Sequence, residues 1–253
     1  MPSTGEASLG LDAVEARAAA AGGANKRAYV RRIFSEIAPR YDLLNHVLSL
    51  NIDRGWRRAA LTDLGWRNRP DGTYLDLCAG TLDVGAMLAR TPGFRGNVIG
   101  ADFAEPMLRQ GIGKAPETTL APVAADALSL PVRSRSMAGA IVAFGVRNLT
   151  DLDAGFREVH RVLMPGARFV ILEFSTPPSP LVRGAYRLYS HHVLPVVGRA
   201  MSGHATAYQY LPESVDNFPE AQALADRLGA AGFVDVRWRH LTLGVVAIHV
   251  GQR

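Results

Sequence analysis

Only one cysteine, Cys78, occurs in 253 residues, so no internal disulfide can form and the chain suits a reducing compartment. A nucleophilic thiol needs a neighbouring base and an electropositive pocket. Cys78 instead stands between Leu77 and Ala79 at the end of an apolar run, where packing is the simpler role. Lysine is nearly as scarce: Lys26 and Lys114 are the only two among 28 basic residues. The net charge of +5 is therefore carried by arginines scattered along the chain. No basic run is long enough to grip a polyanion, which excludes nucleic acid as an expected partner. No apolar run is long enough to read as a membrane span. The first 24 residues are rich in Ala and Gly, lack a basic leader and do not read as a secretion signal; they are expected to form a disordered tail. The expected location is cytoplasmic, with peripheral contact at the inner membrane face. A single Cys and no closely spaced His–carboxylate motif leave no metal site to expect.

What remains is a pattern of alternation. Apolar runs at 73–78, 97–102, 121–125 and 138–144 read as buried parallel strands, separated by helices at 83–90 and 105–112. A helix over 151–163 is stopped by Pro165-Gly166 before a further strand at 168–174. Two amphipathic helices, interrupted at Pro39, precede this core over 26–48. Residues 176–218 break the alternation with prolines, aromatics and histidines, and read as an inserted lid. A helix at 219–231 and strands at 233–239 and 243–250 close the chain. The last connection is too short for a parallel crossover, so the final strand must pair antiparallel. The length suits a single domain over 25–253.

The stretch Tyr74-Leu75-Asp76-Leu77-Cys78-Ala79-Gly80-Thr81-Leu82-Asp83 runs from strand through a small-residue turn into a helix start. Ala79, Gly80 and Thr81 remove bulk where a ligand can touch backbone, and N–H groups of the next helix point there. Asp76 just before the turn would repel a pyrophosphate but attract an ammonium group, such as the amino acid end of S-adenosylmethionine. Asp102, followed by Phe103, ends the next strand where a carboxylate can meet ribose hydroxyls. Asp126, followed by Ala127, ends the third, within reach of an adenine amino group. Each acid alone could be a helix cap or a solvated loop residue; three at successive strand ends converge on one crevice. A dinucleotide dehydrogenase is disfavoured, because the loop carries Asp76 and lacks three glycines.

Five strings in order then resemble the ubiquinone and menaquinone biosynthesis C-methyltransferases of the UbiE/MenG type. They are Tyr41-Asp42-Leu43-Leu44-Asn45 with Ser49, Asp53 and Trp56; Phe144-Gly145-Val146-Arg147-Asn148; Arg161 to Gly166 continued by Glu173-Phe174-Ser175; Tyr208 to Ser214; and Leu241 to His249. The resemblance spans nearly everything after residue 27. It implies an α/β class I methyltransferase fold, Rossmann-like, with a seven-stranded sheet, and S-adenosyl-L-methionine as cofactor. It also implies C-methylation of a prenylated aromatic quinol, the demethylmenaquinol or benzoquinol precursor. The sequence departs from the family at Leu82, which takes the place of the last loop glycine, and at Leu44, which replaces a Met. Asp53 stands for a His, and His204 for an acid. Leu82 is expected to set a branched side chain where backbone faces the ligand.

The implied chemistry assigns roles. Arg147 and Asn148 follow the fourth strand at its crevice end, where a guanidinium could stabilise a phenolate and orient a water that takes the proton. Its alternative is a surface ion pair with Asp151 or Asp153. Tyr41 is the other substrate contact, or else a core aromatic, and Asp42 reads as a helix cap. Phe144 joins Asp76, Ala79, Gly80, Thr81, Asp102, Phe103, Asp126 and Ala127 as the expected cofactor set. His191 and His192 could move a proton near neutral pH. A second copy of the chain is a further expected partner. Two alternatives stay open: a methyltransferase for another aromatic or lipid acceptor, and a cofactor-binding scaffold subunit of a quinone-synthesising assembly.

Overall fold

The computed structural model describes residues 14–23, 25–42, 49, 51–193 and 205–253. The strands β1 (Thr73–Leu77), β2 (Asn97–Asp102), β3 (Leu120–Ala124), β4 (Met137–Ala143), β5 (Leu163–Phe174), β6 (Val234–Leu241) and β7 (Val246–Gln252) form one sheet. Their order is β3-β2-β1-β4-β5-β7-β6. The first five pair in parallel, and β7 runs antiparallel between β5 and β6. The connection from β6 to β7 has no room for a crossover helix, and this is why the pair must reverse.

Six of the seven residues of β4 are buried in succession, because helices cover both faces of the sheet. On one face α2 (Asp53–Leu64) and α3 (Asp83–Ala89) bring Trp56, Ala60, Leu61, Leu64 and Leu88 against Tyr74, Ile141 and Val170. On the other, α5 (Leu152–Val162), which follows α4 (Glu105–Gly111), and α8 (Ala221–Ala230) pack Phe156, Val159, Leu224 and Leu228 onto Leu75, Val142 and Phe169. The chain reverses between β1 and β4, which leaves a crevice at the carboxyl ends of the central strands.

Three segments lie over those ends: α1 (Lys26–Ile37), α6 (Pro180–Leu188) and α7 (Ala205–Asp216). Residues 14–20, within the segment expected to be a disordered tail, are helical instead. Ala16, Ala19 and Ala20 are buried there against Tyr29, Val30 and Tyr210, small side chains that let two helices approach closely. β5 also begins earlier than Pro165-Gly166 suggests, since Leu163 already adopts extended backbone (φ −70°, ψ 145°) and pairs with Met137. Among the described residues, no helix is long and apolar enough to cross a membrane, and no group of three or more His, Cys, Asp or Glu could hold a metal ion.

Candidate functional site

The crevice is lined by Gly80, Asp102, Phe103, Asp126, Ala127, Phe144 and Asn148 from the strand ends, and by Arg27, Phe34 and Tyr41 from the N-terminal segment. Asp102 is held from both sides: Oδ2 accepts the Gly80 N–H at 2.9 Å and Oδ1 the Ala104 N–H at 2.8 Å. Burial nevertheless pushes its carboxyl up. The Phe103 N–H also bonds the carboxylate, which with about four lone-pair sites retains acceptor capacity for a ribose hydroxyl. Asp126 accepts the Leu128 N–H at 3.0 Å and an ion pair from Arg27 at 2.8 Å. The Gly80 turn, at φ +52°, brings backbone to the crevice wall without a side chain in the way. A nucleoside ligand with vicinal hydroxyls and an exocyclic amine fits this donor and acceptor set. The space between these groups is about 60 Å³, and Arg27, Phe34 and Tyr41 line it from the N-terminal side.

Three of the expected cofactor residues do not line the crevice. Asp76 is 1% exposed and lies beneath the loop, where Oδ2 accepts the Gly85 N–H at 2.8 Å. Burial pushes its carboxyl up to about 7. It fastens the first turn of α3 to β1. Ala79 is buried, with its N–H donated to the Ala101 carbonyl at 3.0 Å. Thr81 donates its hydroxyl to Asp42 at 2.5 Å. Asp42 is thus no helix cap: it also receives Lys114 Nζ at 2.5 Å, and Lys114 reaches Asp83 at 2.6 Å.

Leu82 does not face the crevice either. It keeps the left-handed backbone that a glycine would take (φ 65°, ψ 20°), while its side chain is 1% exposed and turned into the protein. Cys78 and Phe144, at the ends of β1 and β4, also have positive φ (51° and 61°). Left-handed backbone costs a non-glycine residue on the order of 1–2 kcal/mol, so the turns after β1 and β4 carry local strain.

A second, larger cavity of about 350 Å³ adjoins the first. Phe34, Tyr41 and Phe144 line both spaces and form the partition between them. Ile33, Ile37, Trp56, Phe174, Leu211 and Val215 make most of its wall apolar, with Tyr186 and Tyr189 from the lid region. Arg147 lines it, 7% exposed. Its Nη1 donates to Glu173 Oε1 at 2.7 Å and to the Phe144 carbonyl at 2.5 Å, and its guanidinium lies 5.4 Å from the Phe174 ring centroid. Burial is the largest influence and works against the charge, but Glu173 together with the phenols of Tyr41 and Tyr210 outweighs it and the group stays protonated. Neither Asp151 nor Asp153 pairs with Arg147: Asp151 caps α5 through the Ala154 N–H at 2.9 Å, and Asp153 pairs with Arg227 at 3.1 Å. Asn148 accepts the Tyr210 hydroxyl at 3.0 Å. Burial pushes the phenols of Tyr186 and Tyr210 up to about 12.

The structure thus brings Tyr41 and Phe144 to the partition, Asn148 to the first crevice and Arg147 to the second cavity. His191 pairs with Asp216 at 3.1 Å on the outside, and neither it nor His192 lines either space. His204 and Leu44 lie outside the described residues. Two functional residues escaped the sequence reading. Glu173 is an acid in an otherwise apolar strand end, and that signal was available. Lys26, buried, donates Nζ to the carbonyls of Arg147 (2.8 Å) and Leu149 (2.9 Å); burial and the Arg147 charge lower its pKa. Its signal was its rarity.

Comparison with known proteins gives relatives of this chain by fold and by sequence. Solved structures share the fold at low identity: the [4+2]-cyclase SpnF matches with a TM-score of 0.64 and 14% identity, over 90% of this chain and 96% of that one. Closer relatives exist by sequence. The demethylmenaquinone methyltransferase of Thermus thermophilus is 48% identical over 224 residues, 87% of this chain and all of that protein. The ubiquinone/menaquinone biosynthesis C-methyltransferase UbiE of Syntrophotalea carbinolica is 42% identical, over 88% of this chain and 93% of its own length. A family model matches residues 23–253, so the match takes in the partition, both spaces and the segments that close them, and the chain belongs to the ubiE/COQ5 methyltransferase family.

Proposed function

We propose that the protein is an S-adenosylmethionine-dependent C-methyltransferase acting on a prenylated quinol precursor, demethylmenaquinol or its benzoquinol equivalent. The observation that carries this is the pair of adjoining spaces, one with acids at three strand ends nearby, the other apolar with a buried guanidinium. Full-length relatives named for demethylmenaquinone and for ubiquinone and menaquinone synthesis support the same substrate class. S-adenosylmethionine, when bound, supplies an electrophilic methyl group. The protein's part is to raise the nucleophilicity of a ring carbon and hold it within about 3–3.5 Å of that methyl.

Loss of a phenolic proton makes the adjacent carbon enolate-like, but a phenol of ordinary pKa about 10 keeps that proton at neutral pH. A fixed guanidinium favours the phenolate. Arg147 suits this role: one nitrogen is anchored on Glu173, while its Nε is buried with no partner among the described residues. Tyr41 at the partition and Asn148 on the crevice side of it orient the ring. Asp102 and Asp126 hold the nucleoside, with Gly80 beside them.

Exposure supports a membrane-facing side at α6. Leu181 and Leu243 are 84% and 75% exposed and Leu188 is 62% exposed, and no residue of α6 is fully buried, Tyr186 being half-buried. Tyr186 from that helix lines the acceptor cavity, so a lipid surface meeting α6 would deliver a prenyl tail next to its destination. Purified protein should transfer labelled methyl to chemically reduced demethylmenaquinol, read by mass spectrometry of the quinone. Complementation of strains blocked at the naphthoquinol or benzoquinol step distinguishes the two acceptors. No transfer to either acceptor, with S-adenosylmethionine bound, overturns the reading.

A further inference from the structure

Four tyrosines, Tyr41, Tyr186, Tyr189 and Tyr210, line the acceptor cavity. Tyr210 donates its hydroxyl to Asn148 at 3.0 Å, and Tyr41 and Tyr189 have partners within the protein. The indole of Trp56 on the same wall is committed too, donating Nε1–H to Thr242 at 2.8 Å. Tyr186 differs. Among the described residues its hydroxyl makes no hydrogen bond, although the side chain is half-buried. A phenol placed in this way can donate to whatever fills the cavity without first breaking a bond of the protein.

Its surroundings suit a donor. Burial pushes the phenol up to about 12, although the Arg147 charge pulls the other way, and Glu173 raises it further. Tyr186 therefore keeps its proton at neutral pH, within the field of the Arg147–Glu173 pair. The helix that carries it is two-sided. At about 100° per residue, five residues from Leu181 and two from Leu188 turn Tyr186 roughly 140–160° away from both. Those leucines are exposed, so α6 presents apolar side chains outward and a phenol inward. We propose that Tyr186 is an acceptor-binding residue whose hydroxyl donates a hydrogen bond to an oxygen of the bound quinol ring. This rests on the quinol reading above. A ring of the same shape without oxygen offers that hydroxyl no acceptor, so Tyr186 selects for the oxygenated ring where the apolar wall selects only for size and tail.

Tyr186→Phe deletes one oxygen and keeps the ring that walls the cavity. In wild type and variant, kcat/KM is measured for the prenylated quinol that the wild type methylates. The inhibition constant is measured for an analogue with the same tail on a naphthalene ring that carries no oxygen, which reports the shape of the cavity alone. A single hydrogen bond between neutral groups corresponds to roughly two- to tenfold. kcat/KM should therefore fall about fivefold in Tyr186→Phe, while the inhibition constant stays within about twofold. Thermal stability should be unchanged, because no bond of the free protein is removed. An unchanged kcat/KM overturns the inference. So does an equal weakening of quinol and oxygen-free analogue, the pattern of a residue that only packs. A wild type that binds S-adenosylmethionine but methylates neither a naphthoquinol nor a benzoquinol overturns the quinol reading instead.

Discussion

Leu82 occupies the space that Gly100 leaves open: a Cβ on Gly100 would stand 2.3 Å from Leu82 Cδ2. Gly111 makes the same concession on the other side, where a Cβ would meet Leu82 Cγ at 2.7 Å. One branched residue in a loop normally closed by glycine is thus accommodated by two glycines in β2 and α4. The loop retains its glycine-like backbone and gains a buried anchor. Exchanging the anchor for strain relief decides the sign of a substitution here.

Leu82→Gly removes the left-handed penalty of about 1–2 kcal/mol but opens a hollow, and truncating a buried Leu costs about 2–5 kcal/mol. The variant should therefore be less stable by roughly 2 kcal/mol, with cofactor affinity changed only modestly, since the side chain lies away from the crevice. Urea unfolding and calorimetry read the two quantities. A more stable variant, or affinity raised a hundredfold, would contradict the anchor.

Much of the sheet was legible because its signals are local: apolar runs of strand length, a small-residue turn at 79–81, and a return too tight for a crossover. Asp102 and Asp126 were legible as strand-end acids. What sequence did not show is pairing across distance. Lys26 reaches carbonyls more than a hundred positions away, and Lys114 reaches Asp42 over 72. Both lysines of a chain otherwise built on arginine join the N-terminal segment to the crevice, where a compact ammonium with three donors can bridge two oxygens. Asp76 shows the same limit. Its position at a strand end was visible, but whether its carboxylate met the crevice or α3 depended on how the loop folded back.

The Arg147–Glu173 pair separates stability from catalysis. Arg147→Gln leaves a buried carboxylate without its partner, which costs about 3–5 kcal/mol. Glu173→Gln should be similarly costly. The double variant Arg147→Gln/Glu173→Gln should recover most of that stability, because both charges are gone, while its single-turnover methylation rate stays at least tenfold below wild type. Single donors of this kind are typically worth about 10²- to 10³-fold. If the double variant regained wild-type turnover, Arg147 would be a structural ion pair.

The exposed leucines of α6 give the membrane proposal its handle. Leu181→Glu with Leu188→Glu should leave thermal stability within about 0.5 kcal/mol of wild type, since neither side chain is buried. Flotation with anionic liposomes at low salt should drop clearly, and KM for long-tailed acceptors in vesicles should rise while short-tailed acceptors are unaffected. Equal recovery of both proteins with the vesicles would remove α6 from the interface.

His249 gives the fold a defined weakness toward acid. It lies in β7, 2% exposed, with Nε2 against the Ala221 carbonyl at 2.8 Å and Nδ1 without a partner among the described residues. Burial is the main reason its pKa falls to about 4, against roughly 6.5 in an unfolded chain. As pH drops below about 6.5 the unfolded state takes up a proton that the folded state refuses, so stability is lost until pH reaches about 4 and is unaffected above 6.5. The difference of pKa corresponds to about 3 kcal/mol over that window. His249→Gln keeps an N–H for Ala221 and cannot titrate. Urea unfolding of both proteins from pH 7.5 to 4.5 should show the wild type losing roughly 2–3 kcal/mol more than the variant, with all shared carboxylates cancelling in the difference. Parallel pH profiles would mean that His249 meets the same proton affinity folded and unfolded, which its burial beneath α8 forbids.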